Sequence, residues 1–161
     1  GHGLNYQSDN RLLTADFDVS VIQQTSLLQS EFMDIIARAN PRSVTIIFDT
    51  CFSGTNREGE QLVDARFVSI AESTINLPNN FLVISSSGKL EWSRDHPEQN
   101  HGLFTYHFLK GLEKKADINN DKQITLSELF SYVQKNVQQD SNFQQNPEIS
   151  SNSNYILVDW K

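Results

Sequence analysis

An apolar run, Val44-Thr-Ile-Ile-Phe48, passes without a charge into Asp49-Thr-Cys-Phe-Ser-Gly54. Five consecutive apolar or β-branched residues are the pattern of a strand buried on both faces. Such a strand needs neighbours beside it and helices above and below, which points to an α/β fold. Ligands in open α/β sheets gather at the carboxyl ends of the strands. That end of this strand carries Cys51, the only cysteine of the chain. A lone cysteine is ordinarily a small buried hydrophobe, so other residues must supply the reason for any chemical reading.

With 161 residues, the chain has room for one ordinary core, and a single domain over residues 1–161 is expected. At 37% hydrophobic and 20% charged it is too apolar for disorder. No apolar run approaches the roughly 20 residues of a membrane-spanning helix, so no membrane partner is expected. A formal charge of −7 without a basic stripe argues against direct nucleic-acid binding. One cysteine makes neither an internal disulfide nor, by itself, a zinc site, and the expected location is the cytoplasm.

Along the chain, Thr25 or Ser26 is placed to cap a helix carrying Leu27, Leu28, Phe32, Ile35 and Ile36 at helical spacing, stopped by Asn40-Pro41. Residues 54–66 read as an exposed loop with Arg57 and Arg66, and a short helix follows over about 66–75. Phe81-Leu-Val-Ile84 is a second buried strand, and 89–100 is a long polar loop of the kind that carries function. Leu103, Phe104, Phe108, Leu109 and Leu112 face inward from a helix over about 102–115; Leu126, Leu129, Phe130, Val133 and Val137 do so over about 126–139. Tyr155-Ile-Leu-Val-Asp159 is a last strand. Helices between strands indicate a parallel sheet. Three strands are too few to bury the central one on both faces, so part of the sheet is expected from chain outside this sequence.

A cysteine nucleophile needs a base and donors for the oxyanion it creates. Of four histidines, His107 lies on a helix between Tyr106 and Phe108 and suits packing or the surface, while His96 and His101 lie in the polar loop, where they can face the site or simply be solvated. His2 stands between Gly1 and Gly3, where the backbone can approach a substrate closely.

Gly1-His-Gly3, Leu13-Thr-Ala-Asp16 and Phe48-Asp-Thr-Cys-Phe-Ser-Gly54 together resemble the catalytic block of the caspase-like cysteine peptidases, closest to the metacaspase and prokaryotic branch. His2 precedes Cys51 by about 50 residues, as the base precedes the nucleophile in caspases. The resemblance continues through Ile84-Ser-Ser-Ser-Gly88 with Glu91 and Ser93, His101-Gly-Leu-Phe-Thr-Tyr106, and Ala116-Asp117 to Glu128-Leu129. It implies a three-layer α/β/α sandwich with a mostly parallel central sheet, its first strands preceding this sequence and supplied by an N-terminal fragment of the same protein. It further implies a cysteine endopeptidase acting on polypeptides. Cys51 is then the nucleophile, His2 the general base, and the backbone N–H groups of Gly3 and Cys51 the oxyanion hole. Asp49 matches an acid of the S1 pocket, favouring Arg or Lys at P1 through charge-assisted hydrogen bonds; Asp16 and Glu58 are further candidates for that pocket. The alternatives are a catalytically silent scaffold acting as a protein-binding or calcium-responsive module, or a peptidase released by a sensor module or partner.

Asp117, Asn119, Asp121, Gln123, Thr125 and Glu128 have the ligand spacing of an EF-hand calcium loop, but Lys122 occupies the position where that loop needs glycine. A capping box, Thr125-Leu-Ser-Glu128, behind a self-bonded Asp/Asn turn accounts for the same residues without a metal. The peptidase chemistry requires no cofactor, and calcium is the one candidate ligand, at this turn.

Overall fold

The computed structural model describes residues 1–50, 52–54, 77–88, 91, 93–96, 98, 101–150 and 155–160. Cys51, Arg57, Glu58, Arg66 and the helix expected over 66–75 lie outside the described residues.

The core is built on β4 (Val44–Phe48) and β5 (Phe81–Ser85), paired in parallel from Val44↔Phe81 to Phe48↔Ser85. Successive β5 residues point to opposite faces, and the packing follows that alternation. Phe81 and Val83 join Ile46, Phe48 and Met33 on one face, beneath α1 (Gln29–Arg38). Leu82 and Ile84 join Leu103, Phe104, Leu129, Val133 and Val137 on the other, beneath α2 (Leu103–Lys110) and α3 (Leu126–Asp140). Helix, sheet and helix thus form three layers, an α/β fold. Fully burying each Leu, Val or Phe contributes about 1.5–3 kcal/mol.

β5 is buried along its first four residues, but β4 is not buried on both faces: Thr45 is exposed and Ile47 is 45% exposed. Among the described residues β4 pairs only with β5, so Ile46 and Phe48 have a helix over them while Thr45 and Ile47 do not. On the far side of β5 lies β7 (Glu148–Ile149), antiparallel through Ile84↔Ile149 and Ser85↔Glu148. The final strand β8 (Ile156–Asp159) does not join this sheet. It pairs with β6 (Gln123–Thr125), closing a two-stranded ribbon at the start of α3.

A separate antiparallel sheet comprises β1 (Gly3–Tyr6), β2 (Asp9–Leu13) and β3 (Ser26–Leu28). Gln7 (φ 53°) and Ser8 (φ 70°) turn β1 into β2 with both central residues left-handed, as a two-residue hairpin with the strands' own twist requires. Leu27 and Leu28 therefore belong to a strand, and the helix starts at Gln29 without a side-chain cap. The expected caps are occupied elsewhere: Thr25 Oγ1 binds the Asp18 and Val21 backbone, and the Ser26 hydroxyl bonds the Ile22 carbonyl and the Arg11 guanidinium. Asn40, at φ 48°, ends the helix ahead of Pro41. Ile35, expected inward, is 54% exposed. Among the described residues no helix is long and apolar enough to cross a membrane.

Candidate active site

The small sheet carries His2 to the carboxyl end of β4. The Gly1 nitrogen donates to the Asp49 carbonyl at 2.8 Å, and the Asn5 N–H donates to the Phe52 carbonyl at 2.9 Å. Between them Leu4, fully buried, forms an antiparallel bridge with Ser53. Segment 1–5 is thus bonded to the residues on either side of position 51. His2 is exposed, its carbonyl accepts from the Leu13 N–H at 3.0 Å, and Gly3 is buried behind it. The arrangement holds a solvent-facing imidazole on a fixed backbone beside the strand end.

Asp49 is half-buried, and both of its carboxylate oxygens accept hydroxyl protons. Ser93 Oγ donates to Oδ1 at 2.8 Å, and Thr105 Oγ1 donates to Oδ2. These partners lie 44 and 56 residues away in sequence. Nothing in the spacing announces them; the resemblance includes both residues without giving them a role. Position 93 is itself secured. The carbonyl of Arg94 accepts from Leu103 at 2.7 Å, and its N–H donates to the fully buried Gln145 Oε1 at 2.9 Å. Gln145 Nε2 reaches the Ser86 carbonyl at 2.9 Å, and Glu91 accepts from the N–H groups of Gly88 and Asn146.

The remaining expected residues are distributed as follows. Asp16 is exposed on the turn after β2; hydrogen bonding from the Thr14 side chain, then from its own backbone, holds its carboxyl below the usual 3.8. His96 packs its ring on Tyr106 at a centroid separation of 4.1 Å, and its N–H donates to the His101 carbonyl, leaving His101 exposed. His107 is buried, with Nε2 2.8 Å from Asp140 Oδ2, a packing role as its helical setting implies.

The acidic turn directs its oxygens at its own backbone. Asp117 accepts from the N–H groups of Asp121 and Lys122, Asn119 from Asp121, and Asp121 from Gln123. Glu128 and Thr125 complete a reciprocal capping box on α3. Lys122 adopts φ 66° without being glycine. Among the described residues no three His, Cys, Asp or Glu side chains come together to hold a metal ion. These bonds hold the turn together at the start of α3, as the capping account describes.

The caspase domain of the C14 peptidases matches residues 1–156 by its family model. The chain belongs to the caspase family. No curated protein matches the chain. Family membership makes this a caspase-like domain of the cysteine-peptidase family.

Proposed function

We propose that the protein is a cysteine endopeptidase that cleaves after a basic residue, with Cys51 as nucleophile and His2 as general base. The observation that carries the reading is the bonding of segment 1–5 to both flanks of position 51. In the reaction, His2 accepts the Cys51 thiol proton and the thiolate attacks the scissile carbonyl carbon. The carbonyl π pair moves to oxygen, where the N–H groups of Gly3 and Cys51 stabilise the oxyanion. As the oxyanion collapses the C–N bond breaks, and the imidazolium gives its proton to the leaving amine. Water, deprotonated by His2, then hydrolyses the thioester, releasing the new carboxyl terminus and restoring the thiol.

Asp49 supplies the carboxylate that pairs with the P1 cation, with Asp16 and Glu58 as further candidate acids for that pocket. Arg57 and Arg66 suit the same pocket, which makes 54–66 a self-processing segment. An N-terminal segment of the same protein completes the sheet along the edge of β4 away from β5, which pairs with no strand among the described residues. A reducing compartment such as the cytoplasm suits a thiolate nucleophile, and a regulatory module or partner suits a peptidase held silent until needed.

The test uses the full-length protein under reducing conditions, with matched reporter peptides carrying Arg, Lys or Asp at P1. Cleavage of the Arg and Lys peptides, lost in Cys51→Ala and His2→Ala, is expected. No cleavage by the wild type with calcium absent or present, or undiminished cleavage by Cys51→Ala, refutes the proposal.

A further inference from the structure

Two hydroxyls from unconnected elements meet on one carboxylate. Ser93, only 1% exposed, comes from the segment following β5, and Thr105 from the first turn of α2. Thr is a mediocre helix former, and its hydroxyl usually returns to a carbonyl one turn earlier. Here it leaves the helix to reach Asp49 Oδ2 instead. Ser93 is carried by backbone that Leu103 and Gln145 fasten on either side of Arg94. With a hydroxyl donor on each oxygen, the Asp49 carboxylate cannot rotate about its Cβ–Cγ bond without breaking both bonds.

We propose that Ser93 and Thr105 are positioning residues that fix the plane of the Asp49 carboxylate, so that the S1 pocket takes arginine in preference to lysine at P1. The inference rests on the reading of Asp49 as the S1 acid. A guanidinium is a planar fork that gains most from a carboxylate held coplanar with it. An ammonium is a compact charge with three rotatable donors and is nearly indifferent to that plane. A tie that merely stabilised the fold would affect both substrates alike.

The experiment measures kcat and KM of the full-length protein on two reporter peptides identical except for Arg or Lys at P1. Thr105→Val removes the hydroxyl with the shape kept, and Ser93→Ala removes the other donor from a different element. Wild type is expected to prefer Arg by about tenfold, the worth of one charge-assisted hydrogen bond. Each variant should raise KM for the Arg peptide about fivefold or more, with kcat and the Lys peptide within about twofold. The Arg-to-Lys ratio then falls towards one, and Thr105→Ser restores it.

An unchanged ratio in both variants, equal losses on both peptides, or failure of Thr105→Ser to restore the ratio overturns the proposal. If Thr105→Val does not fold, Ser93→Ala decides by the same ratio. Asp49→Asn separates the two levels. Full cleavage of both peptides by Asp49→Asn removes the S1 reading itself. Loss of both by Asp49→Asn, with the ratio intact in the hydroxyl variants, removes only the positioning role.

Discussion

Gln145 joins the fold to the site, and its replacement by leucine has a calculable cost. The side chain is fully buried, accepting from the Arg94 N–H and donating to the Ser86 carbonyl, both at 2.9 Å. Leucine fills nearly the same volume, so no cavity opens. It leaves two backbone groups without these partners. Ser86 is fully buried, so its carbonyl loses close to the full desolvation cost of about 1–3 kcal/mol. Arg94 is half-buried, and its N–H loses about half as much because water can reach it in part. Against that, burying leucine in place of an amide recovers about 1 kcal/mol. The net expectation is a loss of about 1–3 kcal/mol, read as a lower urea midpoint at unchanged m-value. Gln145→Glu keeps the acceptor for Arg94 but sets a carboxylate oxygen against the Ser86 carbonyl, and should cost more than leucine does. Stability of Gln145→Leu within about 0.5 kcal/mol of wild type, the range of ordinary surface changes, refutes the reasoning.

Three further outcomes follow from local geometry. Thr125→Ala removes half of the capping box on α3 and should lower unfolding free energy by about 1 kcal/mol in the same urea titration. Lys122→Gly relieves a left-handed non-glycine residue and should raise stability by up to about 1 kcal/mol; a loss would show that Lys122 is not strained. Asp18 accepts from the Ser20 hydroxyl and N–H, which hold its carboxyl below 3.8. A depressed folded value stabilises the fold above the unfolded value, and the contribution fades as pH falls through the folded one. Ser20→Ala should therefore move the Asp18 NMR titration midpoint up towards 3.8, and a midpoint that stays put contradicts the assignment.

Much of the fold was legible in the sequence because long periodic segments commit themselves. β5 and α3 follow their apolar spacing closely; α2 does so except at Leu109, expected inward but 45% exposed, and it ends at Lys110. The failures are physical ones. Leu27-Leu28 satisfies both strand and helix periods, and only pairing with Arg11 and Leu12 decides for the strand. The β1–β2 hairpin lacks the Asn-Gly signal because Gln7 and Ser8 take the left-handed conformations themselves. β6 and β7 are too short to show a period. Continuous apolar character in β4 suggested two buried faces, yet exposure of Ile47 depends on which neighbours surround the strand. The site divides in the same way. The motif placed His2 and Asp49 at one strand end, whereas the bracing of Asp49 by Ser93 and Thr105 is created by tertiary packing alone.

The central claim is that Cys51, activated by His2, attacks substrates whose P1 side chain is basic. Its most direct test is covalent trapping of the full-length protein with peptidyl electrophiles carrying Arg or Asp at P1, followed by peptide mapping. The Arg probe should modify Cys51, the only cysteine of the chain, much faster than the Asp probe, and His2→Ala should slow that modification about 100-fold or more. Equal rates for the two probes, or a rate on Cys51 unchanged by His2→Ala, would contradict the account.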